Sequence, residues 1–171
     1  DEKGRVFPSK TEISQDFAFT SVNDSSENTL LGVNHSGQLI HFNQKEIINS
    51  VLPGDTIRDL AVIRSANSSV IITVSGDSVS AFDSELKPQG IFKAPAGHYR
   101  LMSYTTGDHS YCALTDSSRQ VFYLLQPDGK IDEQYSSKGC TSFSVIPAVR
   151  ENEKNKLLIG DNESGIYLYV Y

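Results

Sequence analysis

The feature that most constrains the fold of this 171-residue chain is a repeat of hairpin-like segments. Each segment joins an apolar run to an aromatic-containing run through a short polar turn, which is the pattern of two antiparallel strands. The turns begin near Asn34, Ser75, Thr115 and Asp161, about 40 to 46 residues apart. A period of this length indicates an architecture of repeated supersecondary units. The four segments are TLLGVNHSGQLIHFN (29–43), VIITVSGDSVSAFDS (70–84), YCALTDSSRQVFYLL (111–125) and LLIGDNESGIYLYVY (157–171).

Further apolar runs flank these hairpins. One run precedes each hairpin, at 17–22, 57–64, 99–104 and 143–149, and one follows each of the first three, at 46–52, 89–93 and 130–135. Four strands per unit are therefore predicted, in the order first, second, third and outer. No helical period extends beyond 45–52, so we expect an all-β chain.

The fourth unit has no run left for an outer strand, whereas GRVFPSK (4–10) is a β-prone run without a unit of its own. If this run pairs with the last strand, four complete units close into a ring and the apolar edge at 166–171 is protected. Proline inside the run is tolerated in an outermost strand. We therefore predict one domain over 1–171, with units at 11–52, 56–94, 98–136 and 140–171 plus 4–10.

The stretches SGQLIHF, GDSVSAFD and IGDNESGIYLYV resemble the repeats of β-propeller proteins, in the broad group of WD-repeat and quinoprotein-type blades. The resemblance covers essentially the whole chain and implies a β-propeller with four blades of four antiparallel strands. The chain has no tryptophan, so the Trp-Asp pair of WD repeats is absent and no catalytic or cofactor residue carries over. Two alternatives stay open: a pair of β-sandwich domains, and an open part of a larger propeller.

Charge and hydropathy narrow the choice of partner. The chain has 15 Lys+Arg against 21 Asp+Glu, a net charge of −6, with the basic residues scattered. We therefore do not expect the chain to bind nucleic acid. Apolar runs of about five residues are far below the roughly 20 that cross a bilayer, so no membrane insertion is expected. Asn-x-Ser sites shift the expected compartment slightly toward secreted or extracytoplasmic; they are Asn23, Asn34, Asn67 and Asn162.

The sequence contains no recognisable catalytic or metal constellation. The triplet Gly-Asp-Ser at 76–78 is similar to a lipase-like nucleophile block, but it falls in a hairpin turn rather than between a strand and a helix. Oxygen ligands at 161–163 are compatible with calcium, although a tight turn requires the same residue types. Cys112 and Cys140 allow one disulfide or two buried thiols, and neither has a metal-type spacing. We predict no enzyme activity, no cofactor and no metal.

Tyr167, Tyr169 and Tyr171 recur at period two and are predicted to pack between blades rather than to bind a ligand.

One surface remains as a candidate binding site. In a propeller, the loops from each outer strand to the next first strand share a side with the turns between second and third strands, and binding residues concentrate on loops of a rigid scaffold. The candidate residues are Asp55, Asp77, His98, Asp116, Lys138 and Asp161. We expect a non-enzymatic module that binds a protein; the alternative is a secreted or periplasmic propeller that binds a glycan or a cation such as calcium. The oligomeric state is not indicated.

Overall fold

The computed structural model describes residues 18–170, except for 25–26, 35–36, 43–46, 52–55, 66–67, 96, 107–108, 127, 149 and 151–152. The described residues form fifteen β-strands and contain no helix, as the all-β prediction expects. In this part of the chain, therefore, no helix has the length and apolar character that a bilayer crossing requires.

The strands form four antiparallel sheets in which neighbours along the chain are neighbours in space. Sheet 1 contains β1 (Ala18–Asp24), β2 (Glu27–Val33), β3 (Leu39–Phe42) and β4 (Ile47–Val51). Sheet 2 contains β5 (Asp59–Ser65), β6 (Ser68–Ser75), β7 (Ser78–Phe82) and β8 (Pro88–Lys93). Sheet 3 contains β9 (Arg100–Thr106), β10 (His109–Asp116), β11 (Val121–Leu125) and β12 (Ile131–Lys138). Sheet 4 contains β13 (Phe143–Ile146), β14 (Lys156–Gly160) and β15 (Ile166–Val170).

The four hairpins predicted from the repeat are the pairs β2–β3, β6–β7, β10–β11 and β14–β15. Each of the three four-stranded sheets also has a register shift between its third and outer strands. The shifts lie at His41/Phe42, Ala81/Phe82 and Tyr123/Leu125. The irregularity therefore recurs at a similar place in each repeat, and bulges of this kind increase the local twist of a strand pair.

The chain divides into two compact units, Asp1–Thr56 and Ile57–Tyr171. We call them unit 1, which contains sheet 1, and unit 2, which contains sheets 2 to 4. In sheet 1, Leu31 and Leu39 are fully buried, and Val33 and Ile40 are almost so. The hydrophobic residues of its central strands therefore form the described core of unit 1.

In unit 2, the three sheets stack face to face. Alternate residues of β10 point to opposite faces, as the period of a strand requires. Cys112 and Leu114 join a core cluster with residues of sheet 2 such as Ile72, whereas Ala113 joins a second cluster with Phe143 and other residues of sheet 4. Sheet 3 is therefore covered on both faces.

Both cysteines are buried free thiols, so Cys112 and Cys140 do not form a disulfide in this structure. Cys112 lies within the core shared by sheets 2 and 3, and burial raises the pKa of its thiol to about 12. Cys140 follows β12. A thiol that stays protonated and inaccessible is a packing residue rather than a nucleophile.

The tyrosines of β15 can be followed in part. Tyr169 packs against the core cluster shared by sheets 3 and 4, as predicted, and its hydroxyl donates to the carbonyl oxygen of Lys138 at 3.2 Å. Tyr167 stacks on Tyr169 with ring centroids 6.3 Å apart. Tyr171 and the run 4–10 lie outside the described residues.

Candidate binding face

Loops and turns at one end of the strands of unit 2 are joined by backbone hydrogen bonds. We call this surface the turn face and define it by residues 76–77, 94–95, 97–99, 116–120, 138–142 and 160–165. The amide of Ala94 donates to the carbonyl of Asp77 at 2.8 Å, and the amide of Gly139 donates to that of Gln120 at 3.1 Å. The amide of Cys140 donates to the carbonyl of Gly160 at 3.0 Å. Each loop is thus fixed to a turn beside it.

Asp116 organises the turn of sheet 3. Its Oδ1 accepts from the Ser118 amide at 3.0 Å, from the Ser118 hydroxyl at 2.6 Å and from the Arg119 amide at 3.2 Å. Its Oδ2 accepts from the His98 amide at 3.0 Å, which ties the loop between sheets 2 and 3 to this turn. Burial by itself raises the pKa of Asp116, but these hydrogen bonds outweigh it and hold the pKa below its usual value.

Asp161 has the same role in sheet 4. Its Oδ1 accepts from the amides of Glu163 at 2.8 Å and Gly165 at 2.6 Å, and its Oδ2 accepts from the Tyr167 hydroxyl at 2.8 Å. The Tyr167 hydroxyl and the Gly165 amide are the main reasons why the pKa of Asp161 is lowered. The carboxylate is therefore directed into its own turn, which is how aspartate stabilises turns generally.

The other two hairpins show how the repeat varies. In unit 1, Asn34 takes the aspartate's place, since its Oδ1 accepts from the Gln38 amide at 2.9 Å. In sheet 2, the turn has only two residues, Gly76 and Asp77, and Gly76 has a φ of 63°. A glycine with positive φ at the first of two turn positions is typical of a tight hairpin.

Side chains also join neighbouring turns. The Asn162 amide group donates to the carbonyl of Ser117 at 3.1 Å, and the Gln120 amide group donates to Glu163 Oε1 at 3.3 Å. Both contacts link the turn of sheet 3 to the turn of sheet 4. In the sequence, only the alignment of the repeats indicates these contacts, because it places 117–120 and 161–165 at equivalent positions of consecutive repeats.

Five of the six residues predicted for the site lie at this end of unit 2: Asp77, His98, Asp116, Lys138 and Asp161. Asp55 lies outside the described residues. His98 and Lys138 are exposed, whereas Asp116 is 1% exposed and is committed to its turn. The positive charge of Lys138 is close enough to Asp161 to contribute to the lowering of its pKa.

The remaining groups of the turn face are a buried tyrosine and several exposed polar side chains. The Tyr99 hydroxyl donates to the carbonyl of Pro95, and burial is the main cause that raises the pKa of Tyr99 to about 12. Among the residues that the structure describes, no group of three or more His, Cys, Asp or Glu side chains is placed to hold a metal ion. The exposed side chains include those of His98, Arg119, Lys138, Asn162 and Glu163.

No protein-family model matches the chain, and no curated protein matches it. Solved structures do. A complex of BBS1N with ARL6DN soaked with mercury gives a TM-score of 0.60 at 11% identity, over 90% of this chain and 49% of that one. The same complex soaked with lead gives a TM-score of 0.61 at 12% identity, over 90% of this chain and 52% of that one. A complex of the fission yeast SREBP–SCAP binding domains gives a TM-score of 0.60 at 15% identity, over 99% of this chain and 50% of that one.

At such low identity these likenesses show the fold alone, and the fold is all-β and propeller-like, as predicted. The chain spans about half the length of the chains that it matches. The number of blades and the closure of a ring stay predictions.

Proposed function

We propose that this chain is a non-enzymatic protein-binding module that uses the turn face. The observation that carries the proposal is the network of hydrogen bonds that fixes successive loops and turns of unit 2 to one another. A preordered surface loses little conformational entropy when a partner binds, so its exposed groups contribute to affinity efficiently.

The residues of the turn face divide into two roles under this proposal. Asp116 and Asp161 position the turns, because their oxygens accept hydrogen bonds from the turns themselves. His98, Lys138 and Glu163 are exposed and would contact the partner. Exposed groups of both charges at the rim of an interface favour specificity and association rate over raw affinity.

The comparisons support a protein as the partner. The similar solved structures are themselves protein complexes, one of BBS1N with ARL6DN and one of the SREBP–SCAP binding domains. A similar fold does not imply a similar function, so these complexes do not indicate which protein this chain binds. Cys112 and Tyr99 are packing residues under this proposal, because both lie in the core of sheets 2 and 3 and burial raises the pKa of each.

Affinity capture from an extract of the source cells tests this proposal. A His98→Ala, Lys138→Glu double variant should lose proteins that the unaltered chain retains. The matched control is Lys87→Glu, because Lys87 is an exposed lysine of the turn between β7 and β8, at the other end of the strands, where it pairs with Glu85. If both variants retain the same proteins, the turn face is not the binding surface.

We further propose that the chain is one domain of four blades and that the run 4–10 pairs with β15 to close the ring. The described part of sheet 4 has three strands, with β15 at its edge, which supports a missing outer strand. Deletion of residues 1–10 should then cause aggregation or loss of cooperative unfolding, since an edge strand is left open. Unchanged unfolding of the truncated chain would contradict the closed ring.

A further inference from the structure

An open groove of about 670 Å³ lies along the outer strands of sheets 2 and 3. Its floor is apolar and aromatic, and its size is within the range of sites that hold one ligand group or a large side chain. It is continuous with the turn face, because the loop that follows β8 belongs to both. The described residues that line it are Phe92, Lys93, Ala94, Pro95, Tyr123, Lys130 and Ile131.

The walls of the groove are fixed by contacts within unit 2. Tyr123 meets Tyr99 edge to face, with ring centroids 6.0 Å apart. The turn before β12 is closed by the Gln126 amide, which donates to the carbonyl of Lys130 at 2.7 Å. Phe92, Tyr123 and Ile131 also pack against the core of sheets 2 and 3. The groove is therefore formed before any partner arrives.

Two lysines give the groove a positive rim in a chain of net charge −6. Lys130 Nζ lies 5.8 Å from the centre of the Phe92 ring and 2.8 Å from Asp128 Oδ2. Its position is thus set on one side by a cation–π contact and on the other by an ion pair. Lys93 is exposed at the end of β8. Asp128 therefore offsets part of the charge of Lys130 beside the groove, whereas no carboxylate is among the described residues that line it.

We infer that this groove binds an acidic peptide segment that carries one aromatic or branched aliphatic anchor residue. The anchor would occupy the apolar floor formed by Phe92, Tyr123 and Ile131, and flanking carboxylates would face Lys93 and Lys130. The inference rests on the proposed function, because it specifies the kind of partner that the module takes. Complementary charge at the rim would orient the peptide, while the buried anchor would supply most of the affinity.

The probe for this inference is a synthetic, end-capped peptide with one phenylalanine between pairs of glutamates, titrated into the isotope-labelled chain. Amide resonances of Lys93, Ala94, Lys130 and Ile131 should shift together and saturate. A Lys93→Gln, Lys130→Gln double variant should weaken the affinity roughly fivefold at low salt, and added salt should weaken binding to the unaltered chain. Since both side chains are exposed, these substitutions leave the core intact.

Three controls separate specific binding from charge alone. Lys87→Gln with Lys154→Gln removes the same charge from exposed positions outside the groove lining and should leave the affinity unchanged. A peptide with alanine in place of phenylalanine, and one with lysines in place of glutamates, should each bind much more weakly. Equal affinity of the groove variant and its control, or shifts that avoid these four amides, would overturn the inference.

The outcomes also distinguish the inference from the proposed function. If the peptide fails to bind while the turn-face variant still loses its captured protein, the groove assignment is wrong and the proposed function stands. If the peptide binds in the groove but the turn-face variant retains every captured protein, the groove assignment stands and the turn face is wrong.

Discussion

Sheets 3 and 4 of unit 2 have similar alternations of apolar residues, but they are buried very differently. In sheet 3, residues on both faces are covered, such as Leu114 on one side and Phe122 on the other, both 0% exposed. In sheet 4, one face is buried and the other is apolar and exposed, with Ile166 at 75% and Leu168 at 57%. An apolar strand pattern therefore predicts that a face of the sheet can be buried, but it does not predict whether another part of the protein covers that face. Contiguous exposed apolar surface is a common mark of an interaction site.

The largest predicted effect comes from the same substitution made in both sheets. Leu114→Ala removes a fully buried side chain and should reduce the free energy of unfolding by about 2–5 kcal/mol. Leu168→Ala removes a side chain that is exposed in the described structure. Its cost should be less than about 1 kcal/mol if the outer face of sheet 4 stays open, and closer to that of Leu114→Ala if the proposed ring closes over this face. Urea unfolding of both variants measures the difference. A Leu168→Ala cost equal to that of Leu114→Ala would mean that the outer face of sheet 4 is covered in solution.

A second prediction concerns the aspartate that fixes the turn of sheet 3. Asparagine has an amide group in place of one carboxylate oxygen, so in Asp116→Asn either the His98 amide or the donors of the turn would face another donor. We expect a loss of about 1–3 kcal/mol. Asp83→Asn is the matched control, because Asp83 accepts from the Glu85 and Lys87 amides in an exposed turn, and its cost should be smaller.

The same variant has a predicted pH dependence. Because the pKa of Asp116 is lowered on folding, its ionised form stabilises the protein above the unfolded-state pKa, and this contribution is lost as pH falls through the lower folded-state pKa. The unaltered chain should therefore lose stability as pH falls below about 4. In Asp116→Asn the dependence should be shallower, as measured by urea unfolding between acidic and neutral pH. Identical pH profiles would contradict the assignment.

The smallest predicted effects distinguish the turns of the two sheets. Gln120 and Ser164 both have positive φ, at 53° and 68°, which is strained for residues with a side chain. Ser164→Gly relieves this strain and should stabilise by about 0.5 kcal/mol. Gln120→Gly relieves it too but loses the hydrogen bond to Glu163, so its net effect should be close to zero. Thermal unfolding would detect the difference; a destabilising Ser164→Gly would contradict it.

The strands could be predicted because their signals are local. Alternating apolar residues and turn residues such as Asn34, Gly76 and Asp161 specify hairpins without reference to the rest of the chain, and the period of the turns orders them into units. The state of the cysteines could not be predicted in this way. It depends on Cys112 packing inside the core between sheets 2 and 3, among residues such as Ile72 and Leu114 that come from different strands.

The repeat predicts which residues lie together at one end of the strands, but not which interactions their side chains make. Repeat geometry placed Asp116 and Asp161 on one surface, yet whether each carboxylate faces solvent or its own turn depends on individual hydrogen bonds. The contact of Asn162 with Ser117 depends in turn on how neighbouring sheets pack. The groove beside Phe92 was not predicted, because its lining residues come from three separate stretches of sequence.

Amide hydrogen exchange tests the turn face most directly. The chain would be measured alone and with a protein recovered in the capture experiment. We expect slower exchange in the loops and turns at 97–99, 117–120, 139–142 and 161–165 when the partner is bound, with exchange in β15 unchanged. Protection confined to β14 and β15 would contradict it, because the partner would then cover the exposed apolar face of sheet 4 instead.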